Sequence, residues 1–425
     1  MKKIILCLMM IFLLTLPVCA EKNIEITYWT QEDPNRTEIE NRYIEEFEAA
    51  NPGVTIKRVT NPSNRMAEIV LTAFAANQGP DMFNLQIEDE YAYIVNNRLA
   101  PIDYKAAGYD SLEAVYKDYI PGVLDPVTYQ GNLYGLPMEL TNWCIYLNKR
   151  VFWDAGLDPD KDYPKTWEEM VEVSEKIVIR DGEIITRRGF DFRYPYYLVA
   201  MVPMVEQLGG KLISDDGKEA IINDEAWLKF LTFMQEWGPN GKNLGSPTYT
   251  NARSLFNKDN NDIAMCTSGL YQQGRIKNDN PEFYESGDWA VIPFPVFEDA
   301  VQDVASAYYG HYYVVNQQKP KENQAMAWKF ISYMLSHPEE YLVKVGLIQP
   351  KVSLMESKEF KEMPYSDVFR KDMERGHIVY YGENSAIIQQ HIREAVESVM
   401  LAGRTPEAAL QILKLKVQEV LEEEY

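Results

Sequence analysis

Ile24-Glu25-Ile26-Thr27-Tyr28-Trp29, then a polar loop over 30–36, then Ile39, Tyr43 and Phe47 at four-residue spacing: this stretch decides the class of fold. Alternating apolar and polar residues mark a strand, and four-residue spacing marks a helix with one apolar stripe. Asn51-Pro52-Gly53 stops that helix, and Val54-Thr55-Ile56-Lys57-Arg58-Val59 is a second strand. Ile69, Val70, Ala73 and Phe74 predict a second helix, and Gly79-Pro80-Asp81-Met82-Phe83 leads into a third strand. Strand, helix, strand, helix, strand implies a parallel α/β sheet with right-handed crossovers. Ligands of such sheets bind beyond the carboxyl ends of the strands, so the loops after Trp29 and Phe83 lie at the working edge.

The alternation restarts at Leu140, where a strand is predicted over 140–146. A helix over 166–177 opens on Thr166 and Glu169, the spacing of a capping box. Arg180-Asp181-Gly182-Glu183 is a turn signal. Further helices are predicted over 196–208 and 225–237, and a strand over 262–267 ends at Ser268-Gly269. Pro293 and Pro295 keep their segment extended, which carries the chain back to the first unit. A strand over 308–315 follows, then a helix burying Ala327, Phe330, Ile331 and Met334. The last helix has Thr405 as N-cap, Pro406 in its first turn and Leu410, Leu413, Val417 and Leu421 on one face.

A chain of 425 residues exceeds what one hydrophobic core serves, so two domains are expected. Its net charge of −22 argues against nucleic acid or anionic lipid as partner. Lys2 and Lys3 precede an apolar run over 4–16 that ends in Pro17-Val18-Cys19-Ala20, the pattern of a secretory signal peptide over 1–20. The run is shorter than the ~20 residues of a bilayer span. Cleavage after Ala20 is one reading of it. The other is a lipobox with Cys19 as a membrane anchor, although Val18 is larger than that site usually accepts. Either way the chain is exported, to the periplasm or cell exterior. Cys7 and Cys19 belong to the leader, leaving Cys144 and Cys266, each in an apolar run where a buried free thiol is ordinary and a disulfide is the alternative. His311, His337, His377 and His391 are scattered, and no metal or other cofactor is expected.

The order of motifs resembles the family-1 extracellular solute-binding proteins, the sugar-binding subunits of bacterial ABC importers. The likeness runs from Ile24 to about Glu423. It is carried by the Trp-ended first strand, Asn51-Pro52-Gly53, Gly79-Pro80-Asp81 and Tyr134-Gly135-Leu136-Pro137. Tyr146-Leu147-Asn148-Lys149 with Phe152 and Ala155-Gly156-Leu157 continues it, as do Asp262-Ile263-Ala264-Met265, Ser268-Gly269 and Pro293-Phe294-Pro295. The resemblance implies two α/β lobes of the type II periplasmic-binding-protein kind, each a mainly parallel sheet flanked by helices, with the ligand cleft between them. Lobe 1 would comprise 21–139 and 297–348, and lobe 2 140–296 and 349–425. The implied protein is a monomer that captures a mono- or oligosaccharide by lobe closure, delivers it to ABC transporter membrane subunits and has no catalytic residue.

Sugars offer hydroxyls that donate and accept, beside flat C–H faces, so their sites combine carboxylates and amides with aromatic rings. The resemblance points to Gln31, Glu32 and Asp33 after the first strand, which also read as a solvated loop and helix cap. Asn84 and Glu88 end the third strand, whereas Asp81 reads first as a strand brace. Glu139 stands where the chain leaves the first lobe, with Trp143 just beyond it. Tyr271 occupies a position where the family commonly has Trp as a stacking platform. Tyr309, Gly310 and His311 match a loop facing the cleft, with Gly310 admitting backbone to the ligand or serving only a turn. Tyr194, Gln389 and Arg393 are weaker candidates.

Two other functions compete. The same fold could take a cationic or peptide-like solute, with Glu32, Asp33, Glu88 and Glu139 neutralising its charge. A secreted glycoside hydrolase would need two carboxyls across the bond, for which Glu139 with Asp33 or Glu88 are the candidates.

Overall fold

The structure is a computed structural model that describes residues 23–62, 65–214, 218–259 and 261–422. The leader over 1–20, with Cys7 and Cys19, lies outside them. Two five-stranded sheets organise the chain. The first runs, edge to edge, Val54–Asn61, Ile24–Gln31, Met82–Gln86, Tyr309–Val315 and Gly135–Thr141. Asp33 caps the helix Pro34–Ala50 by accepting the Asn35 amide at 3.0 Å. That helix buries Ile39, Tyr43 and Phe47, and Phe47 meets Phe330 edge to face. The helix Met66–Ala75 buries Met66 with the expected Val70 and Phe74, while Ile69 and Ala73 flank that stripe half-buried. Asp81 accepts from the Thr27 amide at 2.9 Å, the Thr27 hydroxyl at 2.6 Å and Asn323 at 2.9 Å, bracing the first strand.

The second sheet runs Trp289–Ile292, Cys144–Asn148, Ile263–Ser268, Ile184–Asp191 and Ile179–Asp181. One face carries a core of Trp167, Phe190, Phe192, Trp237 and Phe294, joined by the last two helices. The other is covered by Leu354, Phe360, Phe369 and Met373. The capping box of Thr166 and Glu169 is complete in both directions. Cys144 and Cys266 are buried free thiols in neighbouring strands.

Three expectations change. The sheets are mixed: Tyr309–Val315 runs antiparallel to both its neighbours, and Cys144–Asn148 antiparallel to both of its own. The cause is connectivity, since a chain returning from the other lobe enters the first sheet at its cleft edge and must run backwards. The single strand expected over 140–146 is two strands in different sheets, broken at Asn142 and Trp143 where the chain crosses. Phe297, Ala305 and Ala307 pack in the second core, so the return to lobe 1 falls at Tyr309 and not at 297.

Candidate ligand-binding cleft

The carboxyl ends of the first sheet's parallel strands face the second lobe across a cleft of about 400 Å³. Gln31, Asn84, Gln86, Glu88, Asp89 and His311 line one wall. Tyr196, Gln389, Gln390 and Arg393 line the other. Gln31 and Tyr196 also border a smaller compartment of about 150 Å³ with Glu32, Asp33, Glu139, Tyr309 and three arginines. The larger volume lies in the range of about 300–1,000 Å³ usual for small-molecule sites.

Strand register sets the polar wall. His311 pairs with Gln86 on one side and Glu139 on the other, and paired residues project to one face. Its Nδ1 lies 2.7 Å from Glu139 Oε1, with both side chains almost fully buried. Between His311 and Tyr312 the register shifts, leaving Met138 as the extra residue of a bulge beside the site. Gly310 lies within this strand, and a Cβ there would stand 2.3 Å from the Glu139 carbonyl oxygen. Its smallness therefore serves strand packing that seats Glu139, and the residue stands in a strand, not in a turn.

Asn84 donates to Gln31 Oε1 at 2.7 Å. Asn84 Oδ1, Glu88 Oε2 and Glu139 Oε2 are buried without a hydrogen-bond partner among the described residues. Such atoms are costly unless something else satisfies them. Burial pushes the Glu88 carboxyl up to about 7 and that of Asp89 to about 6. Near neutrality Glu88 can thus donate as well as accept.

Aromatic rings form the floor. Trp143, Tyr196 and Tyr309 pack together with centroids 5.4–5.8 Å apart. Trp143 is fully buried beneath the other two, so it supports the floor and does not face the cleft as expected. The Arg193 guanidinium lies 4.7 Å from the Trp143 ring and 4.5 Å from Tyr196, and it donates to the Tyr271 hydroxyl. Tyr271 is flanked by Arg275 at 5.0 Å and Arg253 at 5.8 Å. Its ring is thereby enclosed by cations, unlike the open stacking platform expected. Close packing permits this, because a Cβ at Gly269 would lie 2.6 Å from the ring.

Of the residues singled out from sequence, the structure brings Gln31, Glu32, Asp33, Asn84, Glu88, Glu139, Tyr271, Tyr309, His311, Gln389 and Arg393 to the two compartments. Asp33 does double duty, since it caps its helix and accepts from Arg275 across the lobes at 3.2 Å. Asp81 and Tyr194 lie elsewhere: Asp81 braces the first strand, and Tyr194 joins the lobe 2 core with its hydroxyl 3.9 Å from Met400 Sδ. Sequence reading missed Tyr196, Gln86, Asp89, Gln390 and the three arginines. Arg193 amid Phe192, Tyr194, Tyr196 and Tyr197 was a legible signal, as was the helical spacing of Tyr271 and Arg275. Arg253 had none. Among the described residues, no group of three His, Cys, Asp or Glu side chains could hold a metal.

The family model for bacterial extracellular solute-binding proteins matches residues 33–341. An arabinooligosaccharide-binding protein of Halalkalibacterium halodurans is 22% identical, over 91% of this chain and 82% of that protein. A maltotriose-binding protein of Pyrococcus abyssi is 20% identical, over 88% of this chain and 77% of that one. A solute-binding protein of an ABC transporter from Thermotoga lettingae, solved with α-D-tagatose, superposes with a TM-score of 0.80. That match is 22% identical and covers 93% of this chain and 99% of the other. With the match spanning most of the chain and the two-lobed fold shared, the protein belongs to the bacterial extracellular solute-binding protein family.

Proposed function

We propose that the protein is an exported receptor that captures a carbohydrate between its lobes, unchanged, and presents it to the membrane subunits of an ABC transporter. One observation carries this reading: buried polar atoms of Asn84 and Glu88 in the larger compartment and of Glu139 in the smaller lack partners among the described residues, while Tyr196 and the amides of Gln389 and Gln390 stand opposite. Hydroxyls satisfy the first group and sugar C–H faces suit the ring. The named ligands of the two relatives, both oligosaccharides, agree with it. Groups on both lobes contribute, so a bound sugar favours the closed arrangement through contacts that only closure makes.

A cationic cargo is disfavoured. Asp33 is committed to Arg275 and Glu139 to His311, Glu88 holds its proton up to about 7, and four arginines border the cleft. Hydrolysis by the pair Glu139 and Asp33 is disfavoured for the same reason, since His311 engages the first and Arg275 the second. The test is calorimetry and small-angle scattering across a panel of mono- and oligosaccharides, with an assay for released reducing ends. A binding sugar is expected to shrink the radius of gyration, remain intact and stabilise by about 2.7 kcal/mol at 100 times its dissociation constant. No compaction with any saccharide, or appearance of reducing ends, overturns the reading.

A further inference from the structure

The smaller compartment holds more positive charge than a neutral sugar needs. Arg193, Arg253 and Arg275 converge on the Tyr271 ring, with guanidinium carbons of the latter two 5.8 and 5.0 Å from its centroid and Arg193 bonded to its hydroxyl. The nearby carboxylates do not balance them. Asp33 pairs with Arg275, Glu139 is held by His311 and Glu32 is exposed. Arg193 and Arg253 have no carboxylate partner among the described residues, though both are half-buried on the cleft wall.

From this arrangement we infer that the cargo is an acidic saccharide, a sugar bearing a carboxylate or phosphate, whose anionic group is bound by Arg193 and Arg253 beside Tyr271 while its ring lies along Tyr196 and Tyr309. The inference rests on the carbohydrate reading above and names its ligand class. Planar guanidinium forks match carboxylate and phosphate oxygens pairwise, which gives direction as well as attraction. The protonation states agree. Burial, with the neighbouring Arg193 charge, lowers Arg253 to about 10. Burial raises the Tyr271 phenol, and the three arginines together more than reverse this, leaving it at about 8. Arg253 thus sits beside the charges of Arg193 and Arg275 with no carboxylate of its own, and an anion entering here relieves that repulsion. The aromatic floor beneath Arg193 limits its hydration and orients its free edge.

The experiment is calorimetry on the full chain with four probes: a uronic-acid oligosaccharide, its carboxyl-reduced neutral counterpart, a sugar phosphate and inorganic phosphate. The acidic probe is expected to bind at least tenfold tighter than its neutral counterpart and to weaken as salt rises from about 0.05 to 0.5 M. Which of uronate or sugar phosphate binds tighter identifies the anionic group. Arg253→Gln is expected to lower affinity for the acidic probe at least tenfold and remove its preference over the neutral one. Arg275→Gln, from an already paired arginine, serves as a second variant, and circular dichroism checks the fold of each. Equal binding of the acidic and neutral probes overturns the inference but leaves carbohydrate capture standing. Binding of inorganic phosphate alone, with no saccharide, overturns both.

Discussion

Ser306 Oγ accepts the Trp143 amide and donates to the Trp143 carbonyl, each at 2.8 Å. One hydroxyl thus stitches the outgoing crossing between the lobes to the returning one, directly under the aromatic floor. Ser306→Ala leaves a buried amide and carbonyl unsatisfied, and the expected loss is about 1–3 kcal/mol of stability. Urea unfolding measures it, and an unchanged midpoint refutes the stitch.

Glu40 is fully buried and holds Arg36 and Arg58, each at 2.9 Å, with Tyr28, Tyr313 and Tyr341 hydroxyls around it. Removing one partner of such a cluster strands the other charge in a low dielectric. Glu40→Gln is expected to cost roughly 3–5 kcal/mol in denaturant unfolding, far above the ~0–1 kcal/mol of an exposed pair. A loss below 1 kcal/mol contradicts the assignment.

Asp191 is buried in lobe 2, and burial pushes its carboxyl up to about 7 despite Arg188 and the Phe192 and Ser246 amides. The native state therefore keeps a proton that the unfolded chain releases near 4. The sign follows: this stabilisation is full below about pH 4 and is lost as pH rises to about 7, by at most roughly 1.4 kcal/mol per pH unit. Asp191→Asn should flatten that part of the stability profile, measured by unfolding at pH 5 and 7. A slope identical to the parent's argues against a protonated Asp191.

Glu139 lines the smaller compartment, with one buried carboxyl oxygen unpartnered among the described residues while His311 holds the other. Glu139→Ala is expected to weaken ligand binding about tenfold to a hundredfold, the worth of roughly 1.5–3 kcal/mol for a hydrogen bond to a charged group. Calorimetry with whichever saccharide binds the parent decides. Unchanged affinity removes Glu139 from the binding wall.

Tyr271 titrates near 8 among Arg193, Arg253 and Arg275, with Tyr196, Tyr309, Glu139, Asp33 and Glu32 as the other ionisable groups of that compartment. Its phenolate would cancel one positive charge. Affinity for an acidic saccharide should accordingly fall as pH rises through about 8, and Tyr271→Phe should lose that alkaline limb. A flat profile from pH 7 to 9 in the parent contradicts it.

Short-range pattern was enough for much of this protein. Alternation in Ile24–Gln31, the stripe of Ile39, Tyr43 and Phe47, and the Thr166–Glu169 capping box each act within a turn or a strand, so residue order alone determined element types, class and lobe count. It also pointed to the loops after Trp29 and Phe83, and so to Asn84, because strand ends face the cleft in any such sheet, while Gln31 and Glu139 came from the family resemblance. Tertiary structure decided what touches what. The return strand's antiparallel register and bulge put His311 on Glu139, and the folding of lobe 2 gathered Arg193, Arg253 and Arg275 around Tyr271 from separate segments. Periodicity decays over a few residues, whereas a cleft is assembled by two cores packing at a distance, so its charge balance cannot be read from any local stretch.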